Sequence, residues 1–336
     1  MNLANKEESA MNLIRKYADE FDRVFVLFSG GRDSLVTLHL VMRALGKSFK
    51  VVYTRLPGNT APECDNYVFN ICKRWRLKLI VAYLDYNFWK KLKEAGFPYI
   101  AKGTTRWCKD EFKYKVWKKL GGYQTLFITG VKRSDRKVRE ITIKPLQFVE
   151  RWKAFSLAPI FNWTKQDILN YISKHNLTVN PLYNEIGHSG NCIWCPYLNK
   201  ASFIKTMKKY WNISTILFEV AFFEIPQSLH KNNVRGSSQT YERLRRYLSY
   251  IEELSIKQES IDRYFNNIID ECIDISKPEE IIYWSFHEEC IDGIGKIMVK
   301  EYDLGTPGRT GKEKKGMLED ECKTIDRKGR STEDTA

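Results

Sequence analysis

A short apolar run followed at once by two glycines constrains the fold of this chain more than any other feature. The run covers residues 24–28, and Ser29, Gly30 and Gly31 separate it from a helical pattern over residues 35–45. An unbroken apolar run of this length is typical of a strand that is buried on both faces of a parallel sheet. A strand, a glycine-rich loop and a helix in that order form the opening of an α/β unit.

The same alternation of strands and helices continues to about residue 175. Further strands are predicted over residues 50–54, 77–84, 125–131, 141–143 and 154–160. Helices are predicted over residues 11–21, 62–75, 88–95, 110–120 and 164–175. Thr164 and Asp167 at the start of the last helix have the spacing of a capping box. The pattern therefore predicts an α/β fold with a mainly parallel sheet.

The chain divides into three regions of different character. Residues 1–199 carry the alternation and are predicted to form one α/β domain. Residues 200–305 have a helical pattern, and we assign their aromatic side chains to a core rather than to a cofactor site. Residues 306–336 consist of Gly, Lys, Glu, Asp and Thr with almost no large apolar residues, which is typical of a disordered tail.

Charge and hydropathy narrow the range of partners. The chain of 336 residues has 55 basic and 41 acidic residues and a net charge of +14. This excess favours a polyanionic partner, either a phosphate-rich small molecule or a nucleic acid, but a solvated lysine-rich surface accounts for it equally well.

The sequence has no apolar run long enough for a membrane span, and its N-terminus lacks the apolar centre of a signal peptide. We therefore expect a cytoplasmic protein.

The loop after the first strand has the properties of a phosphate-binding site. Its glycines allow a sharp turn that brings backbone amides close to an anion, and the following helix adds the positive end of its dipole. Ser29 and Ser34 can donate hydroxyl hydrogen bonds to phosphate oxygens. Asp33 is predicted either to hold the loop or to ligate Mg²⁺ beside the phosphates. The loop lacks the spacer and the Gly-Lys ending of a Walker A sequence.

The loop resembles the PP-loop of the ATP pyrophosphatases, in the variant found in the phosphoadenosine phosphosulfate (PAPS) reductase family. The matching residues are Ser29-Gly30-Gly31-Arg32-Asp33-Ser34. Five further stretches are similar to motifs of this family and follow in the same order: Tyr53-Thr54 through Tyr67, Arg106-Trp107-Cys108 with Lys113, Gly130-Val131-Lys132 with Asp135 and Arg139, Pro159-Ile160 through Asp167, and Asn180-Pro181 through Cys192 and Cys195. Each motif alone is a weak signal, but six in order are a strong one.

The resemblance implies a doubly wound, Rossmann-like PP-loop fold with an adenine nucleotide at the carboxyl ends of the strands. The implied ligand is ATP, adenylyl sulfate (APS) or PAPS, together with Mg²⁺. The implied nucleotide-binding residues are Ser29, Gly30, Gly31, Arg32, Asp33, Ser34, Thr54 and Gly130. The implied catalytic cations are Lys132, Arg139 and Arg106.

Two departures from the family pattern bear on the reaction. Lys132 and Arg136 stand where the family has an Arg and a Ser, and a lysine cannot hold a phosphate in a bidentate way. The Glu-Cys-Gly-x-His segment of the assimilatory reductases is missing, whereas the glycine loop that reductases tend to lose is intact. These departures argue against a plain PAPS reductase. They favour attack on the α-phosphorus of ATP in a sulfur-transfer or sulfur-assimilation reaction.

Four side chains are candidates for a metal or redox centre. Cys192 and Cys195 have Cys-x-x-Cys spacing, Cys108 belongs to the Arg-Trp-Cys motif, and His188 precedes the pair. Three thiolates suit a [4Fe–4S] cluster with one open iron, and with His188 they suit zinc. A dithiol pair that cycles through a disulfide and reduced core thiols are the other interpretations. The five remaining cysteines are interpreted as structural or incidental.

Further partners and reactions stay open at the level of the sequence. Lys and Arg cluster within residues 102–115 and 132–139, where they either contact a nucleic acid or form a solvated helix face. A sulfur donor or a reductant protein is a further expected partner, and the oligomeric state is undetermined. The alternatives to the reaction above are a reductase that releases sulfite, an enzyme that modifies tRNA or DNA with sulfur, and a nucleotide-binding protein without activity.

Overall fold

A single sheet with helices on both faces forms the part of the chain that the computed structural model describes, residues 2–85, 88, 91, 106–135, 144–193, 195, 197–210 and 297–304. Its strands are β1 (Arg23–Leu27), β2 (Lys50–Thr54), β3 (Lys78–Leu84), β4 (Thr125–Ile128), β5 (Leu146–Val149), β6 (Ala154–Leu157) and β7 (Ile297–Asp303). The helices in these ranges are α1 (Leu3–Ala18), α2 (Arg32–Leu45), α3 (Pro62–Arg74), α4 (Trp107–Lys109), α5 (Lys115–Leu120), α6 (Lys165–Lys174), α7 (Leu182–Glu185) and α8 (Lys200–Lys209). A π-helical turn, Asp110–Tyr114, joins α4 to α5, and a 3₁₀ turn, Arg133–Asp135, follows β4.

The strand order creates a crevice in the middle of the sheet. The order is β5-β6-β4-β1-β2-β3-β7, and β1 is parallel to both β2 and β4. The outer strands β5 and β7 are antiparallel to their neighbours. From β1 the chain moves outward through β2 and β3, and it then returns to the other side of β1 with β4. The loops after β1 and β4 therefore diverge at the carboxyl ends of these strands, which is the usual ligand position in such sheets.

Alternate residues of the central strands are buried on opposite faces of the sheet. Val26 and Ile128 belong to the main core cluster, together with side chains from α1, α2 and α3. Phe25 and Phe127 belong to a second cluster, which α5 covers. All four side chains are at most 6% exposed. This burial on both faces explains the unbroken apolar run in the sequence, and the predicted α/β fold with a doubly wound, mainly parallel sheet is confirmed.

Most of the predicted elements are present with shifted ends. The predicted helix over residues 164–175 is α6, and Thr164 and Asp167 form the capping box. β5 was not predicted, because its four residues are all half-buried and carry no alternation. The predicted strand over residues 141–143 lies outside the described residues, as does the predicted helix over residues 88–95 apart from its residues 88 and 91. No helix in the described ranges is both long and apolar enough to cross a membrane.

The first helix begins at Leu3 rather than at residue 11, because its polar first half is also packed. Glu7 is only 3% exposed. Its carboxylate accepts from Arg43 of α2 at 2.8 Å and from Lys174 of α6 at 2.9 Å. His175 lies 3.1 Å from the same carboxylate. A buried carboxylate with several such partners is stabilised in place, so the helix extends beyond its apolar stripe.

The helical prediction for residues 200–305 is wrong near its C-terminal end. Residues 200–209 form α8, but Ile297–Asp303 form β7, which pairs along the whole of β3. Lys50 of β2 and Glu301 of β7 form an ion pair at 2.9 Å. The strand depends on a partner more than two hundred residues earlier, and no local pattern reveals such a pairing. The region 200–305 is therefore not a purely helical appendage, because it contributes a strand to the sheet. Residues 211–296 and 305–336 lie outside the described residues.

Candidate functional site

The glycine loop lies between β1 and α2, where only glycine fits at its turn. Gly30 has a φ of +72°, and a Cβ at this position would lie 2.9 Å from Sγ of Cys64. Gly31 is the N-cap of α2 and makes no side-chain cap hydrogen bond. The first turn of a helix has amides without intrahelical partners, and a glycine at the N-cap has no side chain to take one of them. An anion is the ligand that such amides and the helix dipole favour.

The two serines brace the loop from inside. The hydroxyl of Ser34 accepts from the amide of Ser29 at 3.3 Å and donates to the carbonyl of Gly31 at 2.9 Å. The hydroxyls of Ser29 and Ser34 lie 3.3 Å apart. Both predicted binding serines are thus at the loop, and the Ser34 hydroxyl is already engaged with loop backbone. Its contact with a phosphate oxygen would require this hydroxyl to rotate.

Tyr183 supports the loop from α7, a role that the sequence analysis missed. Its hydroxyl accepts from the amide of Arg32 at 3.2 Å, and the Arg32 guanidinium lies 4.0 Å from the centre of its ring. Asn180 donates to the carbonyl of Gly30 at 3.4 Å. The Asn-Pro-Leu-Tyr stretch therefore holds the glycine loop from the side. The only sequence signal for this role was its place among the family motifs.

The loop after β4 forms the opposite wall, and we call the space between it and the glycine loop the phosphate crevice. A Cβ at Gly130 would lie within 2.9 Å of backbone atoms of Asp33 and Ser34, so only glycine allows this approach. Lys132, whose side chain is 5% exposed, forms ion pairs with Asp33 across the crevice and with Asp135 at 3.0 Å. The structure thus brings the predicted residues Gly130 and Lys132 onto the glycine loop. Arg139 and Arg136 lie outside the described residues.

Thr54 is the last residue of β2, and both its hydroxyl and its carbonyl have hydrogen-bond partners. Its hydroxyl accepts from the indole nitrogen of Trp117 at 2.8 Å. Its carbonyl accepts from the side-chain amide of Asn191 at 3.3 Å. Asn191 in turn accepts from Nζ of Lys113 at 3.1 Å. Thr54 therefore anchors the segment that leads to Cys192.

We call Cys108, Cys192 and Cys195, with the guanidinium of Arg106, the thiol cluster. Nη1 of Arg106 donates to Sγ of Cys195 at 3.7 Å, and the guanidinium lies 4.6 Å from the ring centre of Tyr197. Burial raises the pKa of Cys108 to about 12, Arg106 lowers it, and Cys192 and Cys195 raise it further. Burial also raises the pKa of Cys192. The three predicted cysteines are thus brought into one locality, and the predicted catalytic Arg106 lies with them rather than at the glycine loop.

Both ring nitrogens of His188 have hydrogen-bond partners outside the thiol cluster. Its Nε2 lies 2.9 Å from the hydroxyl of Thr206 in α8, and its Nδ1 accepts from the amide of Gly190 at 3.2 Å. Burial lowers its pKa to about 4, so the ring is neutral at neutral pH. Among the described residues, no group of three or more His, Cys, Asp or Glu side chains is arranged to hold a metal ion. The described side chains therefore show no assembled set of zinc or iron–sulfur ligands.

The two buried cysteines of α3 behave as packing residues, as predicted. Cys64 and Cys72 are fully buried, and burial raises the pKa of each thiol to about 12. Sγ of Cys64 lies 3.7 Å from the carbonyl oxygen of Ser29 and accepts from the hydroxyl of Tyr53 at 3.6 Å. Cys64 therefore packs directly beneath the glycine loop.

The described part of the first basic stretch is partly paired within the protein. Lys115 forms an ion pair with Glu111 at 2.5 Å, and Lys113 and Arg106 have the contacts described above. Such pairing reduces the charge that is free to attract a polyanion.

Together, the sheet and the phosphate crevice define an α/β protein with a glycine-rich loop at a topological switch point. The sequence model of the phosphoadenosine phosphosulfate reductase domain matches residues 23–198, just over half of the chain, and the chain belongs to this family. The family resemblance predicted from the motifs is thus confirmed.

Similar proteins and solved structures each match more than half of the chain. An uncharacterized protein of Methanocaldococcus jannaschii is 28% identical over 221 residues, which are 62% of this chain and 45% of that protein. Sulfate adenylyltransferase subunit 2 of Acinetobacter baumannii is 26% identical over 209 residues, which are 54% of this chain and 66% of that protein. The crystal structure of a PAPS reductase from Candida auris in its phosphate complex has a TM-score of 0.41 and 15% identity, over 54% of this chain and 89% of that one. The chain thus spans between about half and two thirds of the length of these curated relatives.

Proposed function

We propose that this protein binds ATP with its phosphates in the phosphate crevice and transfers the adenylyl group to an acceptor, with release of pyrophosphate. One observation carries the proposal. The glycine loop at the N-terminus of α2 faces the ammonium group of Lys132 across the crevice, and the close approach at Gly130 fixes the distance between the two walls. Oriented amides and a buried cation are the groups that stabilise charge on a transferring phosphoryl group.

Each wall has a separate task in this reaction. The acceptor attacks the α-phosphorus, the bond from this phosphorus to the bridging oxygen breaks, and pyrophosphate leaves with the electron pair. The glycine-loop amides hold the phosphates, and Lys132 offsets the charge that develops on the leaving group. Asp33 provides a hard oxygen ligand beside the loop, with 38% of its side chain exposed, and this fits Mg²⁺. When bound, Mg²⁺ supplies further neutralisation of the phosphates. Arg139 remains a proposed second cation.

Sulfur chemistry is the finer part of the proposal. The thiol cluster is tied to the end of β2 through Asn191, one residue before Cys192, so it lies on the carboxyl side of the sheet, as does the crevice. The relationship to a sulfate adenylyltransferase subunit supports an acceptor that carries sulfur. We propose that a thiolate of the thiol cluster then attacks the sulfur of the adenylylated acceptor. A bond forms between the two sulfur atoms, the bond from the acceptor's sulfur to the bridging oxygen breaks, and AMP leaves with the electron pair.

The nucleotide reaction is tested with ATP labelled in the α-phosphate, by measuring labelled AMP or adenylylated product and pyrophosphate over a panel of sulfur-containing acceptors. We expect Lys132→Met to lower the rate about a hundredfold, because one charge-stabilising group is lost. Lys165→Met is the matched control, because Lys165 is an exposed lysine at the start of α6. Nucleotide binding without turnover of any acceptor would leave a binding protein instead. Sulfite release from APS or PAPS would show a reductase.

The sulfur step is tested separately with Cys192→Ala and with Cys72→Ala as the matched buried control. We expect Cys192→Ala to abolish sulfur transfer while adenylylation continues, and Cys72→Ala to retain both. Equal loss in both variants would reduce Cys192 to a packing residue. Iron, sulfide and zinc analysis of the anaerobically purified wild type decides among an iron–sulfur cluster, zinc and free thiols. Binding of tRNA or DNA that weakens steeply with salt would favour a nucleic acid as the sulfur acceptor.

A further inference from the structure

Lys132 is held by two carboxylates in different ways. Asp135 ends the 3₁₀ turn that directly follows Lys132, and it accepts from both the backbone amide and the ammonium group of Lys132, at 3.3 Å and 3.0 Å. Asp33 belongs to the first turn of α2 on the opposite wall and contacts the ammonium group through Oδ2 alone. We call Asp33, Lys132 and Asp135 the clamp. The contact of Lys132 with Asp135 belongs to a local turn, whereas its contact with Asp33 spans the crevice.

The charges of the clamp oppose a phosphate. Two carboxylates and one ammonium group leave the three-residue group with one net negative charge, at the place where the proposed ligand brings several more. Asp33 and Asp135 are 38% and 28% exposed, whereas Lys132 is 5% exposed. A phosphate therefore meets the carboxylates before it reaches the cation. It can pair with Lys132 only if one of these carboxylates gives way or is neutralised.

Asp33 is the carboxylate that can be displaced from Lys132 at the lower cost. It has one contact with Lys132, and its side chain is the more exposed of the two. Release of Asp135 would break two hydrogen bonds and disturb the turn that continues to the contact of Arg133 with the carbonyl of Phe161 at 2.9 Å. The unequal number of contacts gives the two carboxylates different roles.

We infer that the Asp33–Lys132 ion pair closes the crevice to phosphate until Asp33 is neutralised, and that Asp135 keeps Lys132 in place for the phosphate that then replaces Asp33. Asp33 is thus a gate that a divalent cation opens, and Asp135 is a positioning residue. The inference takes only the phosphate ligand from the proposed function. It does not depend on the adenine or on the acceptor.

The test is calorimetric titration of inorganic pyrophosphate, with Mg²⁺ and with a chelator, into wild type, Asp33→Asn and Asp135→Asn. We expect the wild type to bind much more tightly with Mg²⁺. Asp33→Asn should bind metal-free pyrophosphate about tenfold more tightly than the wild type, because a charged competitor for Lys132 is gone. For this variant, the ratio of the pyrophosphate affinities with and without Mg²⁺ should fall to about twofold. Asp135→Asn should bind about tenfold more weakly with Mg²⁺ but keep the wild-type ratio between the two conditions.

Asp135→Glu and the unfolding midpoint separate positioning from simple damage. The glutamate variant retains the charge and should recover most of the affinity, and Asp33→Ser serves in place of Asp33→Asn if the latter unfolds. Equal weakening with and without Mg²⁺ in Asp33→Asn would overturn the gate, and so would the absence of pyrophosphate binding in both wild type and Asp33→Asn. Parallel titration of α,β-methylene ATP isolates the proposed function. If pyrophosphate behaves as expected but the nucleotide binds no better, the gate stands and the adenine site fails.

Discussion

The phosphate crevice and the thiol cluster lie on one side of the same sheet but are built differently. The crevice is formed by two short loops, each directly after a central strand, and its closest contacts involve backbone atoms. The thiol cluster joins residue 108 to residues 192 and 195 and is held by side chains, above all Arg106 and Asn191. A site fixed by backbone has little freedom to change shape, whereas one fixed by long side chains can be rearranged by a ligand.

The largest effect that sharpens this comparison concerns thiol reactivity. With a pKa raised by burial to about 12, Cys108 should react with iodoacetamide at neutral pH about a thousandfold more slowly than a free thiol, because only the thiolate attacks. Mass spectrometry of the native protein measures the rate, and the denatured chain provides the reference. Rapid labelling would show that the cluster is open. Protection that a chelator removes would show that a metal holds the thiolates.

In the crevice we expect Gly130→Ala to be the most damaging small substitution. The new methyl group would overlap backbone atoms of Asp33 and Ser34, which cannot rotate away as a side chain can. The free energy of unfolding should fall by about 3 kcal/mol, and phosphate affinity should fall with it. Gly46→Ala is the control for backbone strain alone, because Gly46 has a φ of +62° and a ψ of −112° but no atom within 4 Å. It should cost about 2 kcal/mol and leave phosphate affinity unchanged. Equal losses of unfolding free energy in the two variants would mean that the loop after β4 and the glycine loop are not in close contact.

A further effect is expected from pH at the loop that carries Cys192. Burial lowers the pKa of His188 to about 4, whereas a histidine in the unfolded chain titrates near 6.5. Between these values the unfolded state binds more protons, so the stability contributed by His188 is complete above about pH 6.5 and is lost as the pH falls towards 4. The loss should be about 3 kcal/mol, measured by urea unfolding as a function of pH.

His188→Gln isolates this contribution, because His39 is also buried and has its pKa lowered to about 4. The difference between the wild type and the variant should therefore shrink as the pH falls, while the slope due to His39 remains in both. A constant difference across this range would mean that His188 titrates normally in the folded protein.

The wall of the crevice that contains the glycine loop could be predicted from the sequence because its parts are local. The strand, the glycines and the helix over residues 24–45 are contiguous, and each follows from apolar patterning or backbone freedom. Gly130 and Lys132 came from the family motifs, and the structure brings both against the loop. The sequence could not reveal that Lys132 is shared between two carboxylates, because an ion pair across a crevice depends on the order of the strands.

The features that could not be predicted from the sequence depend on partners that are distant along the chain. Tyr183 supports the glycine loop through a hydroxyl that meets an amide about 150 residues away. His188 has ligand-like spacing from the cysteines, but α8 supplies a hydroxyl for it instead. The half-buried β5 and the polar start of α1 are stabilised by packing rather than by their own patterns. Spacing along the chain indicates which side chains can meet, and tertiary contacts determine which of them do.

The pairing of β7 with β3 has a consequence for the way the protein is made. The ribosome completes β3 more than two hundred residues before β7 exists, and until then one edge of the nascent sheet has unpaired backbone donors and acceptors. All but the first residue of β3 are buried in the finished protein, so this waiting edge is also apolar. A chain that stops before residue 297 keeps that edge open, so translational stalling late in the message should yield aggregates rather than a shortened folded protein.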